Sequence, residues 1–163
     1  MKVSKREGFN LVEIIITMAI LAIVSTIAVP SFIKYRKNIN LKNAARAIAA
    51  DFAYLKQTAI AESVHYKIVL STENNNYKII KGGSNGISSA YDEASAVIKS
   101  ISDFSSDIVI SANPAPTYPQ SQVVFQPRGT TSAGTIVLAN DVGSIAKIVS
   151  NLMGRVRVTF HMK

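Results

Sequence analysis

Residues Phe9 to Val29 read FNLVEIIITMAILAIVSTIAV, and this stretch decides the class of the chain. From Leu11 to Val29 it runs nineteen residues with a single charge, Glu13. As a helix, that length rises about 28 Å, enough to cross a hydrocarbon core of about 30 Å. A short basic leader, MKVSKREG, stands in front of it. A cleaved secretory signal shares the basic start, but its apolar core is normally about 7–15 residues and ends at a small-x-small site. Thr26-Ile27-Ala28 is a poor match to such a site. A plain signal anchor fits the length. Neither explains a carboxylate at the third position of the apolar run.

A lone acid at the centre of a membrane helix costs roughly 2.5–3.5 kcal/mol, so it normally has a partner or an escape to the headgroups. Glu13 lies near the start of the helix, where both courses are open to it.

The run Gly8-Phe9-Asn10-Leu11-Val12-Glu13 resembles the type III signal of type IV pilins and type II secretion pseudopilins. The resemblance implies cleavage after Gly8 by a prepilin peptidase and N-methylation of Phe9. It also implies that Glu13 pairs with the terminal amine of a neighbouring pilin or pseudopilin subunit in a filament. A paired charge is tolerated where an unpaired one is not, so the carboxylate acquires a purpose. Charge counts do not orient the helix. Lys2, Lys5 and Arg6 precede it while Lys34, Arg36 and Lys37 follow, and the positive-inside rule is nearly balanced. The resemblance implies a leader in the cytoplasm, one pass through the bacterial inner membrane and a periplasmic head.

The whole chain has 163 residues, 48% of them apolar, and much of that share sits in the one run. What is left suits one modest domain. The formal charge is +8, from 18 Lys+Arg against 10 Asp+Glu. Removal of residues 1–8 takes away Lys2, Lys5, Arg6 and Glu7 and leaves about +6. Such an excess favours anionic partners, nucleic acid or acidic lipid, without choosing between them. The absence of Cys excludes a disulfide framework and a thiolate metal site.

Past the apolar run, Pro30 is expected to kink rather than end the helix. Leu41, Ala45, Ile48, Phe52, Leu55 and Ala59 then recur at spacings of four and three, one apolar stripe, with Lys42, Arg46, Asp51 and Lys56 elsewhere on the surface. The reading is one helix over roughly 9–62, its first half in the membrane and its second laid on a head. After Ser63 the period changes to two. Strands are expected at Val64–Leu70, Tyr77–Lys81, Ile108–Ser111, Gln122–Gln126, Thr135–Ala139, Ala146–Ser150 and Arg155–Phe160. Turn residues separate them, and the stretch Gly129 to Gly134 reads as a hairpin connection. Tyr91 to Ile101 fits a short helix or an edge strand. The fold class is α+β and pilin-like, a long N-terminal helix packed on antiparallel strands. The divisions are a leader, 1–8, a transmembrane and filament-core helix, 9–30, and a head, 31–163, that includes the rest of the helix.

No residues suggest an enzyme, a cofactor or a metal. His65 and His161 have no carboxylate pattern around them and read as strand surface. Gly129-Thr-Thr-Ser-Ala-Gly134 lacks the Gly-Lys-Ser/Thr ending of a phosphate loop. The candidate working surface is Gly154-Arg155-Val156-Arg157. On a strand, Arg155, Arg157 and Thr159 share one face while Val156, Val158 and Phe160 share the other. Two guanidinium forks side by side suit phosphate. Two Arg on a strand face also suit a solvated edge that resists aggregation. Both readings stay open on the residues alone.

The segments VVFQPRGTTSAGTIVLAN and KIVSNLMGRVRV resemble the C-terminal region of the FimT/GspH family of minor pilins and pseudopilins. In the FimT branch a Gly-Arg-x-Arg motif is implicated in binding double-stranded DNA during uptake. Carried over, Arg155 and Arg157 would contact phosphates and Gly154 would shape the approach, with Arg128, Lys147 and Lys163 as extensions of the patch. The function implied is a minor type IV pilin that aids pilus assembly and binds DNA non-specifically during natural transformation. The alternative is a type II secretion pseudopilin acting in protein export.

Overall fold

A computed structural model describes residues 10–82 and 91–163. The chain divides into two compact units, one ending at Arg36 and one spanning Lys37–Lys163. Helix α1 (Leu11–Glu62) runs through both, with Pro30 inside it.

In the first unit, Asn10 caps the helix. Its side-chain oxygen accepts from the Val12 amide at 3.2 Å, and its carbonyl accepts from the Glu13 amide at 3.0 Å. Side chains 11–36 are exposed all round. The few hydroxyls in this stretch turn inward to their own helix. Thr17 donates to Ile14 O, Ser25 to Leu21 O, Thr26 to Ile23 O and Ser31 to Ile27 O. Such back-bonding leaves no hydroxyl unsatisfied in hydrocarbon.

In the second unit, every residue of the apolar stripe is buried, and Ala44 joins it. The alanines at 44, 45 and 59 let the sheets approach the helix closely. Phe52 meets Phe125 edge to face, with centroids 5.3 Å apart. The strands are β1 (Tyr66–Ser71), β2 (Asn76–Lys81), β3 (Val97–Ser100), β4 (Ile108–Ile110), β5 (Gln122–Phe125), β6 (Gly134–Asn140), β7 (Ile145–Ser150) and β8 (Val156–His161). They form two four-stranded antiparallel sheets, in the orders β3-β2-β1-β5 and β4-β6-β7-β8.

Three expectations need adjustment. The first strand starts at Tyr66 rather than Val64, because Ser63 takes a left-handed conformation and the Val64 amide returns to Ala59 O to close the helix. The open stretch before Ile101 resolves into a 3-10 turn, Glu93–Ser95, capped by Asp92, followed by the edge strand β3. Gly129 to Gly134 turns back on β5 through an isolated antiparallel bridge, Phe125 to Thr131, but does not join two strands of one sheet. It carries the chain from β5 in one sheet to β6 in the other.

At the end of the head where the helix enters, Asn75 ties the sheets together. Its carboxamide donates to Ile108 O at 2.6 Å and accepts from the Ile110 amide at 2.9 Å. Lys37 pairs with Asp107 and Asp141 at the same end, and Asn140 donates to the Asn38 side chain.

Candidate functional site

Gly8 and Phe9, the expected cleavage and methylation positions, lie outside the described residues. Glu13 sits in the first turn of α1, exposed, and its carboxylate forms no ion pair with a described residue. An acid in the first turn also suits the positive end of the helix dipole.

The second candidate is the β7–β8 hairpin. Asn151 closes its turn: the Asn151 amide donates to Arg155 O at 3.1 Å, while its side-chain oxygen accepts from the Arg155 amide at 2.9 Å. Gly154 has φ +69, a conformation that disfavours side chains. Lys56 of α1 crosses over this glycine and donates from Nζ to Met153 O at 2.8 Å. Gly154 thus sets the turn, with its open side toward the helix beneath.

Along β8, Val156, Val158 and Phe160 pack against the core, while Arg157, Thr159 and His161 are exposed. Arg155, just before the strand, is also exposed. Arg157 stands opposite Val149 and Thr159 opposite Lys147, so Lys147 and Arg157 are diagonal neighbours, about 7–8 Å apart by register. A shallow groove of about 260 Å³ runs beside Val149, Asn151, Arg155 and Arg157. A second, of about 280 Å³, continues along Ile145, Lys147, Thr159, Phe160 and His161.

Arg128 is exposed in the β5–β6 connection. That loop is bound to the hairpin turn, since Thr131 donates from its amide to Leu152 O at 3.1 Å and from its hydroxyl to Asn151 O at 2.9 Å. Arg128, Arg155 and Lys56 thus gather at the far end of the head. Lys163 does not join them. It lies past the other end of β8, with its amide on Ser144 Oγ at 2.9 Å and its stem over Gly143. The six-residue strand separates the two groups by about 20 Å.

Arg128, Lys147, Arg155 and Arg157 form no salt bridge with a described residue, whereas several acids of the head are engaged elsewhere. Asp51 binds Lys99 at 2.7 Å, Glu62 binds Lys81 at 2.7 Å, and Glu93 binds Lys67 at 3.1 Å. The hydrogen bond from Lys81, supported by one from Tyr66, holds the Glu62 carboxyl below its usual pKa. Burial, with Asp51 beside it, pushes the Tyr77 hydroxyl far up, so it stays a neutral donor to Asp51. Arg128, Lys147, Arg155 and Arg157 thus stand exposed without an acidic partner among the described residues.

Lys56 was not visible as part of this site from sequence. A lysine on the outer side of a helical stripe carries no mark of a glycine 98 residues later.

Two family models match. The first, described as "Type II transport protein GspH", covers residues 44–154, about two-thirds of the chain. The second, "Prokaryotic N-terminal methylation motif", covers residues 3–29. A comparison with curated protein sequences returned no match. Among solved structures, the minor pseudopilin EpsH from the Type 2 Secretion System of Vibrio cholerae is similar at TM-score 0.56 and 9% identity, over 74% of this chain and 96% of that one. A crystal structure of EpsH from the same system is similar at TM-score 0.52 and 10% identity, over 77% and 94%. At such identity these structures speak for the fold alone. The GspH match spans most of α1 in the head and strands β1 to β7, ending at Gly154 before β8, and the methylation motif spans the apolar helix. The chain belongs to the GspH family and carries the N-terminal methylation motif of prepilin-type subunits.

Proposed function

We propose that the chain is a minor subunit of a type IV pilus, cut after Gly8, methylated at Phe9 and held in the filament by its N-terminal helix. Glu13 meets the terminal amine of a neighbouring subunit there. Its missing partner among the described residues supports this, since an unpaired carboxylate in hydrocarbon is costly. Processing takes place at the bacterial inner membrane, with the head in the periplasm.

The head binds double-stranded DNA through phosphates. One observation carries this reading: Arg155 and Arg157 are exposed at the start of β8 with Lys147 diagonal to Arg157, and none has an acidic partner among the described residues. Gly154 sets the turn that starts this strand, and Arg128 lies on the loop bound to it. No recognition helix or aromatic platform accompanies them among the described residues, so binding is sequence-tolerant, with dissociation constants of order 10⁻⁴–10⁻⁶ M at physiological salt. Lys163, at the far end of β8, adds long-range charge at most.

The test is DNA binding by the full chain in detergent across a salt series, beside Arg155→Ala/Arg157→Ala. Wild type should weaken steeply with salt and the double variant should lose most affinity. Equal binding by both, or none by either, would sink the DNA reading.

The family match favours a second reading. A type II secretion pseudopilin would use the same helix and head in a filament that serves protein export. Loss of secretion in a strain lacking the gene, with pili and transformation intact, would select it.

A further inference from the structure

The turn between β7 and β8 carries two residues that phosphate binding does not use. Leu152 is 66% exposed and Met153 76%, side by side at the tip. Their backbone is not loose. Asn151 O accepts from the Thr131 hydroxyl at 2.9 Å, Leu152 O from the Thr131 amide at 3.1 Å, and Met153 O from Lys56 Nζ at 2.8 Å. Three consecutive carbonyls are thus bound from the helix and the neighbouring loop. A single exposed apolar side chain is ordinary. Here two adjacent ones stand outward on a braced base, with Arg155 two residues beyond Met153 and Arg128 on the loop that supplies Thr131.

We infer that Leu152 and Met153 form an apolar wedge that enters the minor groove of duplex DNA and opens a base step, while Arg155 and Arg157 hold phosphates beside it. The inference rests on the DNA reading above. Charge complementarity selects the occupant, because the cations around the tip lack acidic partners among the described residues. Proteins that bend DNA from the minor groove insert aliphatic side chains at a step and set cations on the adjacent backbone. The brace answers the mechanical need, since a floppy tip would fold back rather than unstack bases. Unstacking is easiest where the duplex is mismatched or a step is flexible, so the wedge gives preference by deformability without base readout.

The experiment compares the full chain in detergent with Leu152→Ala/Met153→Ala, which leaves every charge in place. The probes are a matched duplex and the same duplex with a central mismatch, each end-labelled so that bending shortens the dye separation. Wild type should bind the mismatched duplex at least roughly fivefold more tightly and bend it. The variant should lose the preference and the bend while keeping the salt dependence. Wild type that binds without bending or preference overturns the wedge and leaves the DNA reading intact, as does a variant indistinguishable from wild type. If that variant also fails to enter filaments, the tip docks a neighbouring subunit instead. No DNA binding by wild type removes the wedge and the DNA reading together.

Discussion

Lys56 lies directly over Gly154: a Cβ built on the glycine would meet Lys56 Cδ, Cε and Nζ at 2.8, 2.9 and 2.9 Å. The lysine simultaneously donates to Met153 O, the carbonyl just before that glycine. Gly129, in the β5–β6 loop, also faces this side chain, with its Cβ position 3.6 Å from Lys56 Cε. One helix residue thus seats both loops that carry the far-end arginines. The glycine of Gly-Arg-x-Arg is required by its own backbone, while the flexible end of Lys56 would have to shift to admit a Cβ there.

Gly154→Ala should therefore destabilise the chain. Left-handed backbone at a residue with a side chain costs about 1–3 kcal/mol, and the contact with Lys56 adds to it. Adding Lys56→Ala should restore part of the loss, because the steric term disappears while the backbone term remains. Denaturant midpoints of the two single variants and the double variant measure this coupling. Strictly additive losses would show that the contact is not felt.

Asn75 should matter as much to stability, far from any binding surface. Asn75→Gly keeps the left-handed turn conformation (φ 49 in the native chain) but removes the carboxamide bonds to Ile108 O and the Ile110 amide. The buried edge of β4 then loses its partners, at about 1–3 kcal/mol. A thermal midpoint equal to wild type would show that water replaces the side chain without cost.

The helix and its buried stripe were legible in sequence because periodicity is a local signal. The positions from Leu41 to Ala59 needed no knowledge of what covers them. The strands were legible to within a residue or two for the same reason. Their division into two sheets was not. Gly129 to Gly134 has hairpin composition and does turn back on β5 at Thr131, yet β5 pairs with β1 while β6 pairs with β4 and β7, and nothing local marks that change of sheet. Alternation placed Arg155 and Arg157 on one face. Only the register of β7 against β8 brings Lys147 beside Arg157, and only the length of β8 takes Lys163 away.

Acid should weaken the head partly through Glu62. Its carboxyl is held below the ordinary value of 4.5, first by the hydrogen bond from Lys81 and then by that from Tyr66. A carboxyl depressed in the folded state contributes stability above its unfolded pKa and loses it as pH falls through the folded one. Stability should thus decline as pH drops below 4.5, and Lys81→Met should flatten that part of the decline. Unfolding midpoints between about pH 3 and 6 test this in both proteins. Parallel curves would remove Glu62 from the acid response.

Glu13→Ala should enter the membrane at least as readily as wild type, since it removes the only charge between Leu11 and Val29. It should nevertheless join filaments poorly, because the amine of the neighbouring subunit loses its counter-ion. Immunoblots of membrane and sheared-filament fractions separate the two effects. Equal incorporation would show that Glu13 has no partner in the filament.

The central claim is that this chain is processed as a prepilin and assembled. The most direct measurement is the N-terminal sequence and mass of the chain recovered from sheared filaments, beside a Gly8→Ala strain. Wild type should yield a chain beginning at a methylated Phe9, and the variant an uncut precursor confined to the membrane. A chain with residues 1–8 intact in filaments, or normal processing of Gly8→Ala, would contradict it.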